Sequence, residues 1–464
     1  MGPILAFVGL AAVGVALALA VVLGPQFALI PLGVLASLLI AAIPRARFAV
    51  VIFGALLTLQ SSQALDLLKM AYLGAMFLAL GAALLSLHEH ANAEVSAFLQ
   101  ASFLSFLLVF ISLFVALANG TPVLSWLRDA APYLLLAAIP VLAADASQTV
   151  PTRTLVSVFV TAGTLSAASF GLVWAGASKR HLTDLPLDHL VYPSFLFAGA
   201  VFAFAIWKGL SGGKASLRWL LLASLIFAVV LTTGTRTALL LLVIPLVFLA
   251  NKRFAADRPR RFVVLVGAVA VVAIAAFWIA QVTSENNAAL LGRFGSFGQL
   301  ASDPTSDQSV QDRLGQIGSA MNAFVSAPIF GVGLGHEFSW ADPQGVPRTV
   351  FTIDTSISFF AKFGLLGLAF LILVAERLRT ATRVPRARQP EVWCVISGYF
   401  SLIVCYLFFG SPFEEKGFSL ALLCLMALLI AKVPVDTRSA TATSSPERRR
   451  LLISRQAEAG SGRD

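Results

Sequence analysis

The chain has 464 residues, 58% of them hydrophobic and only 12% charged, with a formal net charge of +10. A mean hydropathy of +0.87 excludes a water-soluble globular protein and makes the bilayer the solvent. The basic excess lies in short segments between apolar runs, not in a folded basic domain, so nucleic acid is excluded as a partner.

The N-terminal run "MGPILAFVGLAAVGVALALAVVLG" has no basic flank and no clear cleavage site, so it reads as a first membrane helix. A span needs roughly 20 apolar residues. Candidate spans follow at 3–23, 25–43, 48–62, 70–87, 95–118, 131–145, 154–176, 191–208, 219–234, 237–250, 262–280, 355–375, 392–410 and 417–432. The expected fold is all-α, a polytopic integral membrane protein with about 12–14 transmembrane helices and one large extracytoplasmic loop. Three regions are expected: helices over 1–190, a second membrane region over 191–432 containing the loop 281–354, and a disordered basic tail over 433–464.

Charge placement sets the topology. The segments 251–261 ("NKRFAADRPRR"), 376–391 ("ERLRTATRVPRARQPE", read as a loop) and the arginine-rich tail are expected on the cytoplasmic side. Both termini are then cytoplasmic, and the loop 281–354, which is acidic overall, lies outside. Cys394, Cys405 and Cys424 sit in apolar runs and read as small buried hydrophobes.

Arg236 interrupts the run "VVLTTGTRTALLLLV". Residues 219–250 would span roughly 48 Å as one helix, too long for a hydrocarbon core of roughly 30 Å and too short for two full spans. A break at "TTGTR" follows, with Gly234 permitting it and Thr235 capping the helix beyond. Freed N–H groups, a positive helix end and a guanidinium together make an anion site. The alternative is an arginine that reaches to the outer headgroups.

In the outer loop, apolar residues at 314, 317, 321, 324 and 325 have helical spacing, giving an amphipathic helix lying on the membrane face after Arg313. Pro328 ends it, and Gly331, Gly333 and Gly335 allow a tight turn with close backbone approach. Asp354 then precedes the run "TSISFFAKFGLLGLAFLIL", either as a helix N-cap or as a general base facing an outer cavity. Further outer groups are Lys179, Arg180, His181, Asp184, Asp188 and His189, in a solvated loop or in a wall of a sugar- or phosphate-binding cavity; Arg128 and Asp129, which either pair or leave Arg128 to help bind phosphate; and Glu414 and Glu415, which suit either sugar hydroxyls or a plain turn.

"TGTRTALLLL", "R…PIFGVGLG" in one long loop, and "DTSISFFAKFGLLGL" entering the next span occur in that order. Together they resemble the O-antigen ligase and polymerase superfamily over roughly 190–410. The resemblance implies a metal-independent, cofactor-free glycosyl transfer at the periplasmic face of a bacterial inner membrane. The donor would be an undecaprenyl-diphosphate-linked oligosaccharide and the acceptor another glycan or lipid A-core, within membrane lipid and, for a polymerase, with a chain-length regulator as partner. It assigns diphosphate binding and neutralisation of the leaving group to Arg236 and Arg313, with Arg293 as a further member; Arg313 is then catalytic, with Asp354 as the base read from its own position. The ligases carry a His-Asn-like pair where this chain has Ile353 and Asp354. If Asp354 is not the base, His336 or Glu337 in "GLGHEF" takes its place, with Arg128 and His189 as additional groups. The missing histidine favours a polymerase or an exopolysaccharide-specific relative over a ligase. A transporter or lipid-linked glycan flippase is the competing class, since many helices and a broken, charged helix are transporter features too.

Overall fold

The computed structural model describes residues 40, 42–59, 67–88, 93–178, 191–211, 215–231, 242–245, 248, 267, 308–341, 345–353, 355–408 and 410–431. Arg236, Arg293, Asp354 and His189, the break at "TTGTR" and the loop's first part fall outside them.

The protein is an all-α polytopic membrane protein. Its described helices are α1 (Pro44–Thr58), α2 (Leu67–His88), α3 (Ala93–Ala118), α4 (Val123–Thr149), α5 (Thr152–Ser178), α6 (Phe195–Leu210) and α7 (Ser216–Leu231), then α8 (Gln308–Ser326) in the loop, and α9 (Ile357–Arg388), α10 (Pro390–Tyr406) and α11 (Lys416–Ile430). Five helices, α2 to α5 and α9, are long and apolar enough to cross a bilayer, and α6, α7, α10 and α11 are shorter apolar helices.

Burial sorts these helices into layers. Helices α4, α6 and α11 are buried on nearly every side, as expected for helices apolar all round. Their alanines and glycines, such as Ala137, Ala138 and Ala144 on α4 and Gly199 on α6, allow close backbone approach. Around them, α2, α3 and α9 expose Leu85, Phe103, Phe114 and Ile372, side chains suited to lipid.

Buried charge marks the two ends of the bundle. Near one end Arg47 of α1 bonds Asp145 of α4 at 3.3 Å. Asp129, sixteen residues earlier on α4 and so about 24 Å away along the axis, belongs to a second cluster described below.

Two expectations about local structure change. The basic segment 376–391 is no loop: α9 runs unbroken from Leu365 to Arg388, and α10 starts at Pro390. Lys, Glu and Arg are good helix formers and an arginine-rich helix end is well solvated outside the bilayer, so the helix outlasts the apolar run. The outer loop also contains a β-hairpin that periodicity did not reveal. Strands β1 (Phe338–Ala341) and β2 (Pro347–Val350) pair antiparallel, Phe338 opposite Val350 and Trp340 opposite Arg348.

The expected helix after Arg313 is present and ends before Pro328. Its buried face presents Gln316, Ala320 and Ala323. Ala320 and Ala323 pack with Val332, Phe338, Ile353 and Ala361 into a small core. The other face exposes Leu314, Met321 and Val325, continued by Ile329 and Phe330. Seven and four residues apart, Leu314, Met321 and Val325 form one apolar stripe along α8, the spacing of an amphipathic helix.

Candidate functional site

The site begins with a break in α9. Gly364 has φ 62° and ψ −160°, outside helical space, and its break frees carbonyls before it and N–H groups after it. The turn Pro328–Gly333 satisfies both sets. Val332 N donates to Ala361 O at 2.9 Å and Gly333 N to Lys362 O at 3.0 Å, while Leu365 N donates to Pro328 O at 2.8 Å and Leu366 N to Ile329 O at 2.9 Å. Such a break inside a membrane span is tolerated because protein backbone replaces the lost bonds.

The close approach explains two glycines. A Cβ on Gly331 would meet the Lys362 carbonyl, and one on Gly364 would meet the Ile329 carbonyl; both residues have positive φ. Gly364→Ala is therefore expected to cost more than the roughly 1–3 kcal/mol of backbone strain alone, because the loop must also lift off α9. Limited proteolysis checks this: cleavage within 327–341 should accelerate in the variant while the membrane helices stay protected. Unchanged cleavage would mean the turn does not depend on the break.

Two residues before the break stands Lys362, fully buried. Its Nζ donates to Asp129 Oδ1 of α4 at 2.8 Å and to Glu414 Oε1, in the turn before α11, at 2.9 Å. Tyr133 donates its hydroxyl to the same Glu414 oxygen at 3.1 Å, and Gly335 N donates to Asp129 Oδ2 at 2.8 Å. One lysine thus faces two carboxylates, a centre of net charge −1 if all are ionised. Burial pushes the Glu414 carboxyl up, against the pull of Lys362. Its second oxygen, Oε2, is buried without a partner.

Of the expected site residues, His336 and Glu337 lie in the loop beside this centre, Arg128 lies on α4 and Arg313 on α8. His336 follows Gly335 directly and stands edge-on to the Phe338 ring, with centroids 5.2 Å apart. Burial first, and then the Lys362 charge, hold its imidazole below the usual range, so it is neutral at neutral pH. Glu337 is exposed beside it. Arg128 does not simply pair with Asp129: its guanidinium lies 3.4 Å from the Phe351 ring centroid, with Asp129 and Glu337 as its acidic neighbours. Arg313 sits half-buried in the second turn of α8. Its neighbour Asp312 anchors that turn by accepting from Trp340 Nε1 at 2.7 Å and Gln316 Nε2 at 3.0 Å.

Glu414 and Glu415 face different neighbours. Glu415 accepts from Ser194, which also caps α6 by accepting from Phe197 N at 3.0 Å. Lys416 Nζ donates to Leu59 O at 2.6 Å and lies over the Tyr192 ring. Burial pushes the Glu415 carboxyl up to about 7. The protonated form is then favoured in the fold, so stability should fall as pH rises from the ordinary carboxylate range through about 7 and level off above it. Glu415→Gln should flatten that slope in thermal unfolding followed from pH 5 to 8. A slope equal to the wild type's would exclude Glu415 as its source.

The sequence singles out neither Lys362 nor Tyr133; it offers Asp129 as a partner of Arg128, and Glu414 for sugar hydroxyls or a plain turn. A signal existed for Lys362, a lone cation in "SISFFAKFGLLGLAF", as Arg236 is in its own run. Among the described residues no group of three His, Cys, Asp or Glu side chains stands at metal-binding spacing. The arrangement joins Tyr133 and Glu414 by one hydrogen bond, and through Gly335 N and Asp129 it ties the outer loop to the membrane bundle.

A search of curated proteins found no match to the chain. Residues 220–372, from α7 to the middle of α9, match the family described as O-Antigen ligase. They include the amphipathic helix, the glycine turn, the hairpin and Lys362. The match covers about a third of the chain and supports an assignment to the O-antigen ligase and polymerase superfamily.

Proposed function

We propose that the protein is a glycosyltransferase of the outer face of a bacterial inner membrane, with cytoplasmic termini and its site facing the periplasm. The observation that carries this reading is the family match over 220–372, which ends just beyond the buried Lys362 centre. The donor is an undecaprenyl-diphosphate-linked oligosaccharide, and the acceptor is a hydroxyl of another glycan or of lipid A-core. The bond from the anomeric carbon to the diphosphate oxygen breaks, a bond to the acceptor oxygen forms, and undecaprenyl diphosphate leaves. Arg236, Arg313 and Arg293 hold the diphosphate, since a guanidinium fork matches phosphate oxygens and stabilises the leaving charge without a metal.

The acceptor proton goes to Asp354 or to His336. Asp354 is supported by its place before the span that opens α9, and His336 by the burial and the Lys362 charge that keep it neutral. Rate profiles separate the two. His336→Gln should lower turnover by about a hundredfold if it is the base, and the wild-type acid limb should lie below the ordinary imidazole range. If Asp354→Asn has that effect and His336→Gln does not, the carboxylate is the base.

A further inference from the structure

An apolar groove of about 400 Å³ runs between α3, α4, α9, α10 and α11. Leu108, Phe370, Val374, Phe400 and Met426 are typical of its walls. At one end it reaches Tyr133 and Phe413, beside Glu414. At the other its lining changes to Arg379, Thr382, Arg386 and Trp393. There a second hollow of about 390 Å³ opens, and its described lining is Arg379, Thr380, Arg383 and Arg386.

Three features of this basic end point to an anionic amphiphile. Arg379, Arg383 and Arg386 are spaced by four and three residues, so they share one face of α9. The Arg386 guanidinium lies 3.8 Å from the Trp393 ring centroid, and its Nε is buried with no hydrogen-bond partner. The nearby acid Glu376 is taken up by Arg379 at 2.8 and 2.9 Å on the exposed side. A solvated topology signal would leave the guanidinium donors in water, yet here one is buried at the mouth of a hydrocarbon groove.

We propose that this end of the groove binds one anionic phospholipid. The phosphate sits on Arg383 and Arg386, where forked donors match its oxygens. An acyl chain enters the groove past Trp393, a side chain suited to the headgroup boundary. Arg386 lies 24 residues beyond Lys362 on α9, about 36 Å along the helix, so the lipid belongs to the opposite leaflet from the Lys362 centre. The proposal does not depend on the glycan chemistry.

The test uses the full chain, delipidated in a neutral detergent, with native mass spectrometry as readout. The probes are dioleoylphosphatidylglycerol, dioleoylphosphatidylcholine and glycerol 3-phosphate. One phosphatidylglycerol should be retained per chain under conditions that strip phosphatidylcholine, and added salt should weaken its retention. Arg383→Gln with Arg386→Gln should weaken it by about tenfold. Equal retention of the two lipids, salt-insensitive retention, or an unchanged double variant would overturn the proposal in favour of a groove filled by any hydrocarbon chain. Displacement of the lipid by glycerol 3-phosphate would overturn it in favour of a free-phosphate site.

Discussion

Lys362→Met is expected to be the most destabilising single change in the described protein. It leaves Asp129 and Glu414 buried without their cation, and breaking a buried ion cluster from one side costs about 3–5 kcal/mol. The loss spreads, because Asp129 also receives Gly335 N and Glu414 also receives Tyr133. The variant should lose much of its thermal stability in detergent, and its loop should become open to protease. Removing the charges together should rescue the fold: Lys362→Met with Asp129→Asn and Glu414→Gln leaves neutral groups that need no counter-ion. If the triple variant is as unstable as the single one, the lysine acts through packing and not through charge. Rescue of stability without rescue of glycan transfer would place the cluster in the chemistry as well as in the architecture.

Arg313→Ala is expected to abolish glycan transfer with little change in thermal stability. The side chain is half-buried on a surface helix, while that turn is held by Asp312 through Trp340 and Gln316. In the proposed reaction Arg313 meets charge that develops as the diphosphate departs, and losing one such donor costs about a hundred- to a thousandfold in rate. Arg313→Lys keeps the charge but loses the fork, so it should recover only part of the rate. A normal rate with Arg313→Ala would remove the residue from the proposed diphosphate site.

Much of the bundle was legible in the sequence because apolar runs of membrane length admit few readings. The runs at 70–87 and 95–118 lie within α2 and α3. Helix ends were less legible. α9 extends to Arg388 because arginine-rich sequence outside the bilayer is itself helix-forming, and hydropathy is silent about it. The turn at 331–335 was visible as a place of close backbone approach, but its partner was not. Gly364 sits among residues with a smooth apolar pattern, and its break is stabilised only by backbone bonds from a distant turn. The Lys362 centre was hidden for the same reason. Asp129 is 233 residues away and Glu414 is 52 away, so each charge alone looks like a local feature. A lone cation in an apolar run was the one cue available, and it asks for a buried acid elsewhere in the chain.

The most direct measurement of the central claim is turnover by the purified full-length protein of an undecaprenyl-diphosphate oligosaccharide from its own host. Lipid-linked products are resolved by length, with lipid A-core supplied in a parallel reaction. The account predicts a ladder of longer products, or transfer to the core acceptor, from the wild type, and neither from Arg313→Ala. A wild-type protein that consumes no donor in either reaction, yet carries the intact donor across the membrane of a proteoliposome, would contradict it and make the protein a transporter.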